Sequence, residues 1–171
     1  EWANLAGITR TAQRAQLVVV MAALMLVMWL IDAATSAWPL WLAAAGWLIN
    51  LYWVTRYPAA GQQWQATPRR LAMGLWVLLP CWVGFNVLRE SGMAWLLFVL
   101  LLVWCADIGA YFVGRNWGKR KLAPNVSPGK SWEGVYGGLA ATAMLAIVFA
   151  VWLSLGMASS LMLILVTAVV T

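Results

Sequence analysis

The sequence predicts an all-α, polytopic membrane protein, and three observations carry that prediction. Of 171 residues, 64% are hydrophobic and only 9% charged; the mean hydropathy of +0.82 lies far above that of a soluble domain. Apolar stretches long enough for a helix to cross a hydrocarbon core of roughly 30 Å recur along the chain. Lys and Arg collect in alternate connections between those stretches, as in multi-pass proteins.

Taken in order, the stretches at 15–31, 38–54, 71–88, 93–113 and 135–155 predict five full transmembrane helices. A sixth opens at Ser160 and reaches only about a dozen residues before Thr171, against the ~20 a crossing needs. The chain starts at Glu1, and EWANLAG has neither the basic start nor the cleavage site of a signal peptide. The expectation is one integral-membrane domain over 1–171, an internal piece of a longer protein, with a cytoplasmic motif loop at 115–134. Cys81 and Cys105 lie inside apolar runs, and there is neither a CxxC pair nor a histidine. Both are expected to be packing residues, which argues against zinc or thiol-relay chemistry.

Ten of the eleven basic residues fall on one side of the alternating topology: Arg10, Arg14, Arg56, Arg69, Arg70, Arg115, Lys119, Arg120, Lys121 and Lys130. Only Arg89 falls on the other, so the ten mark the cytoplasmic side. The net charge of +6 then reads as a topology signal and an attraction to anionic lipid, not as an affinity for nucleic acid. Trp38, Trp95 and Trp132 sit at span ends, where amphipathic rings favour the interface; Trp76, Trp82 and Trp104 lie deeper and are expected in the core.

Residues 104–138, WCADIGAYFVGRNWGKRKLAPNVSPGKSWEGVYGG, depart from this pattern. Asp107 precedes Arg115 by eight residues, about 12 Å along a helix axis, which puts a carboxylate within the bilayer. An insertion penalty of roughly 2.5–3.5 kcal/mol implies that it faces a wet cavity, a cation or a basic side chain of a neighbouring helix. Tyr111 shares its face, and Ala106, Ala110 and Gly114 form a small-residue stripe for close helix packing. Beyond the span, SPGKSWEG resembles a phosphate loop only superficially. The glycine that a P-loop requires five residues before its GK pair is Pro124 here, and no β-strand precedes it. Ser127 as N-cap, Pro128 at the first helical position and free N–H groups beyond them could still receive an anion beside Lys130; an ordinary capped helix start fits the same residues. Glu133 is expected only to complement the helix dipole.

The run ADIGAYFVGRNWGKRKLAPNVSPGKSWEGVYGG resembles the corresponding segment of bacterial phosphatidate cytidylyltransferases, the CDP-diacylglycerol synthases. It carries the acidic residue before G-A-Y, the G-K-x-K-L-A-P-x-V-S-P-G-K-[ST]-W run and the paired glycines. The resemblance implies a magnesium-dependent enzyme of the bacterial inner membrane that makes CDP-diacylglycerol and pyrophosphate from CTP and phosphatidate, with the motif loop facing the cytoplasm. It implies that Asp107, Tyr111, Lys119, Lys121, Ser127, Pro128, Lys130 and Ser131 stand at the family's motif positions. The charge neutralisation that such a transfer needs makes Asp107 and Lys130 the expected catalytic residues, Asp107 the expected metal ligand, and Tyr111, Lys119, Lys121, Ser127, Pro128, Gly129 and Ser131 the expected substrate-binding residues. Its partners are then CTP, phosphatidate and membrane lipids; a homodimer is left open, and no nucleic acid is expected. The family's S-x-x-K-R, K-D and H-G-G-x-x-D-R-x-D elements have no counterpart here, so the chain is expected to hold part of the active site and to be inactive alone. A nucleotidyltransferase for another acidic lipid, a transporter and a catalytically silent paralogue are the alternatives.

Overall fold

The computed structural model describes residues 1–171, which group into two compact units, Glu1–Met93 and Ala94–Thr171. The first holds α1 (Trp2–Leu5), α2 (Thr11–Leu30), α3 (Trp38–Thr55), a 3-10 turn (Ala59–Trp64) and α4 (Thr67–Ser91). Proline stands in the first turn of both α3 and α4, where its missing N–H costs nothing. Gly92 closes α4 at φ 123, a backbone conformation that side-chain-bearing residues rarely adopt. Two glycines set the packing. A Cβ on Gly46 of α3 would overlap the indole of Trp76 on α4, and one on Gly74 would overlap the indole of Trp2. The Trp2 indole N–H donates to the carbonyl of Arg70 at 2.7 Å, fixing α1 against α4.

The second unit is formed mainly by α5 (Met93–Trp117), a hairpin of β1 (Lys121–Ala123) and β2 (Ser127–Ser131), α6 (Trp132–Trp152) and α7 (Met157–Val170). Its apolar core is Phe98, Ala146 and Phe149, edged by Trp95. The Phe98 and Phe149 rings stand 4.6 Å apart. Toward the hairpin, α5 and α6 meet along glycine: a Cβ on Gly109 would come within 2.5 Å of the Gly137 carbonyl oxygen, and one on Gly137 within 2.6 Å of the Gly109 oxygen. Such contact lets two backbones touch without intervening side chains. It runs beside the predicted small-residue stripe, since Gly138 faces the carbonyl of Ala106 and Gly134 faces the carbonyl of Ala110 and the Cα of Gly114.

The protein is an all-α membrane protein in its architecture, with helices at all five expected stretches. Four of them, α2, α4, α5 and α6, combine the length and hydropathy of a crossing. The fifth, α3, has 18 residues, among which four tryptophans, Pro39 and Asn50 dilute the aliphatic content. The sixth segment is α7, which starts at Met157 and runs 14 residues. Three details differ from the sequence reading. Arg115 and Trp132–Gly134 are helical, so the connection expected at 115–134 narrows to 118–131 and is a hairpin. Trp104 and Trp76 are exposed instead of buried, Trp76 resting one edge of its ring on Gly46. Cys81 is exposed and Cys105 half-buried, both as free thiols. A hydropathy profile marks a helix as membrane-compatible without fixing which face meets lipid, and that accounts for the misplaced rings and for Cys81.

Candidate functional site

The site is built from the last three turns of α5, the first two turns of α6 and the hairpin between them. On α5, Asp107, Tyr111 and Arg115 recur at four-residue spacing and therefore share one face. Ala106, Ala110 and Gly114 form the adjacent stripe that meets α6. The hairpin folds back because its two ends are fastened together. The Trp132 N–H donates to the Arg120 carbonyl at 2.9 Å. The Glu133 carboxylate accepts from the Lys119 N–H at 3.1 Å and from the Arg120 N–H at 3.2 Å. Its other oxygen lies 3.9 Å from the Arg120 guanidinium. Antiparallel pairing of Lys121 with Ser131 and of Ala123 with Ser127, with an irregularity between them, completes the hairpin.

These elements enclose a cleft of about 650 Å³. Asp107, Tyr111 and Arg115 form one wall; Ser127, Gly129, Lys130 and Ser131 border it from β2; small residues of the α5–α6 seam, with Leu122, Val135 and Thr171, line the rest. Ser127, Gly129 and Ser131 share a strand face by the two-residue period, and Lys130, although on the other face with Pro128, also borders the cleft. Of the residues expected at the site, the cleft brings together Asp107, Tyr111, Ser127, Gly129, Lys130 and Ser131. Lys119, Lys121 and Pro128 lie outside its lining. Arg115 is the charged lining residue that the sequence reading passed over as a site residue. Its signal was available, because it continues the Asp107–Tyr111 spacing by one further turn. One Arg115 terminal nitrogen donates to the Tyr111 hydroxyl at 2.6 Å, and the guanidinium carbon stands 5.7 Å from the ring centre.

Two expectations about the helix start are corrected. The N-cap of α6 is Ser131, whose hydroxyl accepts from the Gly134 N–H at 3.2 Å; Ser127 and Pro128 are strand residues. The displacement has a non-local cause, since the fastening at Glu133 and Trp132 holds the preceding residues extended. The first helical N–H groups are also partly engaged, Trp132 by Arg120 and Gly134 by Ser131. An anion in the cleft therefore meets β2 and the cationic side chains more than the bare end of α6. Glu133 stands in the first turn of α6, where it answers the helix dipole as expected, and it also binds the base of the hairpin.

Asp107 is exposed in the cleft, and among the described residues neither its carboxylate nor the Lys130 ammonium takes part in an ion pair. The cleft thus presents two cations, Arg115 and Lys130, with one carboxylate. Among the described residues no three His, Cys, Asp or Glu side chains gather to hold a metal ion by themselves. A lone carboxylate still fits a magnesium ion that draws its remaining ligands from water and substrate phosphates, the usual arrangement for that ion. In chemical terms, the cleft is suited to phosphorylated ligands.

Comparison with known proteins bears on which ligands. The sequence model of the Cytidylyltransferase family matches residues 1–171. A phosphatidate cytidylyltransferase of Pseudomonas aeruginosa is 46% identical over 142 residues, covering 82% of this chain and 52% of the relative. The Haemophilus influenzae protein of the same name is 45% identical over 116 residues, 63% of this chain and 40% of the relative. The chain therefore spans about half the length of the curated relatives it matches. No solved structure matches it.

Proposed function

The chain belongs to the cytidylyltransferase family, and from that premise we propose that it supplies part of the site where a cytidylyl group passes from CTP to phosphatidate, giving CDP-diacylglycerol and pyrophosphate. The observation that carries this reading is the joining, in one cleft, of the intramembrane acid Asp107 with Lys130 and the serines of β2. The reaction explains that composition. A phosphate oxygen of phosphatidate attacks the α-phosphorus of CTP; a new P–O bond forms as the bond to the β-phosphate oxygen breaks, and pyrophosphate leaves with the electron pair. The nucleophile is already anionic, so no strong general base is needed. What must be supplied is charge neutralisation and alignment.

Lys130 provides a positive charge for the triphosphate, and the hydroxyls of Ser127 and Ser131 provide donors beside it. Asp107 is the residue that would hold magnesium; when bound, the ion would neutralise phosphate charge as in other nucleotidyl transfers. Lys119 and Lys121, exposed and outside the cleft lining, are read as a basic rim that draws CTP toward the cleft. The basic residues of alternate connections support a multi-pass orientation with the hairpin toward the cytoplasm, and the bacterial relatives support the inner membrane as the location.

Lys130→Met tests this in the protein that carries the chain at its relatives' full length. The substitution keeps a long side chain and removes the charge. Efficiency toward CTP should fall by about a hundredfold, the scale of deleting one preorganised electrostatic contact. The measurement is CDP-diacylglycerol formation normalised to folded protein; near wild-type efficiency removes Lys130 from the site.

A further inference from the structure

We propose that Arg115, oriented by Tyr111, takes the phosphate of the acidic lipid, leaving the nucleotide to Lys130 and β2; this assignment rests on the reaction proposed above. Three observations lead to it. Arg115 and Lys130 are the two cations of the cleft, and they come from different elements, the last turn of α5 and the strand β2. Two anionic substrates must meet there, so each cation has an anion to answer.

The surroundings of Arg115 are those of a membrane interface. Tyr111, Phe112 and Trp117, within one turn of it, are all large, apolar or amphipathic and exposed at 55%, 58% and 64%. An exposed aromatic group at the end of a span is the usual mark of headgroup depth. A lipid phosphate resides at that depth by virtue of its acyl chains. Lys130, by contrast, stands on the polar hairpin, next to Gly129 and Ser131 and beyond the end of the span.

The Tyr111 contact supplies preorganisation. By accepting from one guanidinium nitrogen at 2.6 Å, the phenol oxygen holds Arg115 along the cleft wall. The phenol keeps its own proton and can donate it in a hydrogen bond to the same phosphate that the remaining guanidinium N–H groups engage. A planar fork of donors matches a phosphomonoester better than an ammonium would.

Steady-state kinetics in mixed micelles distinguish this arrangement. Full-length Arg115→Gln should raise the KM for phosphatidate about 10–100-fold, the range for a lost hydrogen bond to a charged group, and leave the KM for CTP within about twofold of wild type. Lys130→Met should show the opposite division. Arg115→Lys, which keeps the charge and loses the fork, should show the same division as Arg115→Gln at smaller size, and it decides the matter if the glutamine variant fails to fold. A binding measurement without CTP, using radiolabelled phosphatidate in phosphatidylcholine micelles, should show the same loss of affinity in the Arg115 variants. A KM increase confined to CTP, or unchanged KM values for both substrates, overturns the assignment. Absence of CDP-diacylglycerol formation by the wild-type protein would instead sink the proposed reaction, so the two failures are told apart.

Discussion

The Ser131 hydroxyl satisfies the Gly134 N–H at the start of α6, and this places the stability cost of a serine substitution at 131, not at 127. Ser131→Ala should lose about 0.5–2 kcal/mol, as for other N-cap deletions; Ser127→Ala, in a strand, should stay near wild type. Thermal unfolding of both purified variants checks the difference, and equal midpoints would remove the cap. Serine is a common cap residue, and SPGKSWEG contains two, each with a helix-compatible residue after it. Local chemistry alone favoured Ser127, with Pro128 after it, over Ser131. Asp107 and Tyr111 were legible for a different reason: a carboxylate within an apolar run is costly enough to stand out from the sequence. Arg115 was hidden by its position among basic residues that also serve topology.

At the scale of elements, the α5–α6 seam depends on having no side chain at its centre. Gly109→Ala brings a Cβ within 2.5 Å of a backbone oxygen, a partner that cannot rotate away. The helices must part, at a cost of about 1–3 kcal/mol for overpacking. Gly129→Ala meets nothing within 4 Å and should leave stability unchanged. Resistance to thermal unfolding in detergent should separate the two; equal resistance would show that the seam is not closely packed. The seam could be anticipated from the four-residue spacing of Ala106, Ala110 and Gly114. The hairpin could not. SPGKS has proline and glycine where strands favour branched and aromatic residues, and no apolar alternation. Its extended form is imposed by contacts between residues 13 and 14 positions apart, those of Glu133 with Arg120 and Lys119. Glu133→Ala should therefore speed tryptic cleavage at Lys119–Lys121. Glu133→Gln, which retains the acceptor oxygen and loses the charge, should be intermediate, and a cleavage rate unchanged in both would refute the fastening.

For the whole molecule, the distribution of charge predicts a topology that labelling can check. Single cysteines introduced beside Lys121 and beside Arg69, in a background lacking Cys81 and Cys105, should react with an impermeant reagent from the cytoplasmic side. One beside Ser91 should react from the opposite side. The reverse pattern would overturn the orientation. Hydropathy made the helices legible, since each burial in lipid is a sum over some twenty residues that a single substitution hardly changes. It left the outward placement of Trp104 illegible, because the sum is the same whichever way the ring points. The fastening at Glu133 has one more consequence, for anyone wishing to watch the protein at work. With the hairpin tied at its base, the turn at 124–126 is exposed at every position and lies outside the cleft lining, yet it leads directly into Ser127, which borders the cleft. A small fluorophore attached at Asn125 should be carried without loss of function and report by its emission when a nucleotide enters below it, turning the hairpin tip into a handle for real-time measurement.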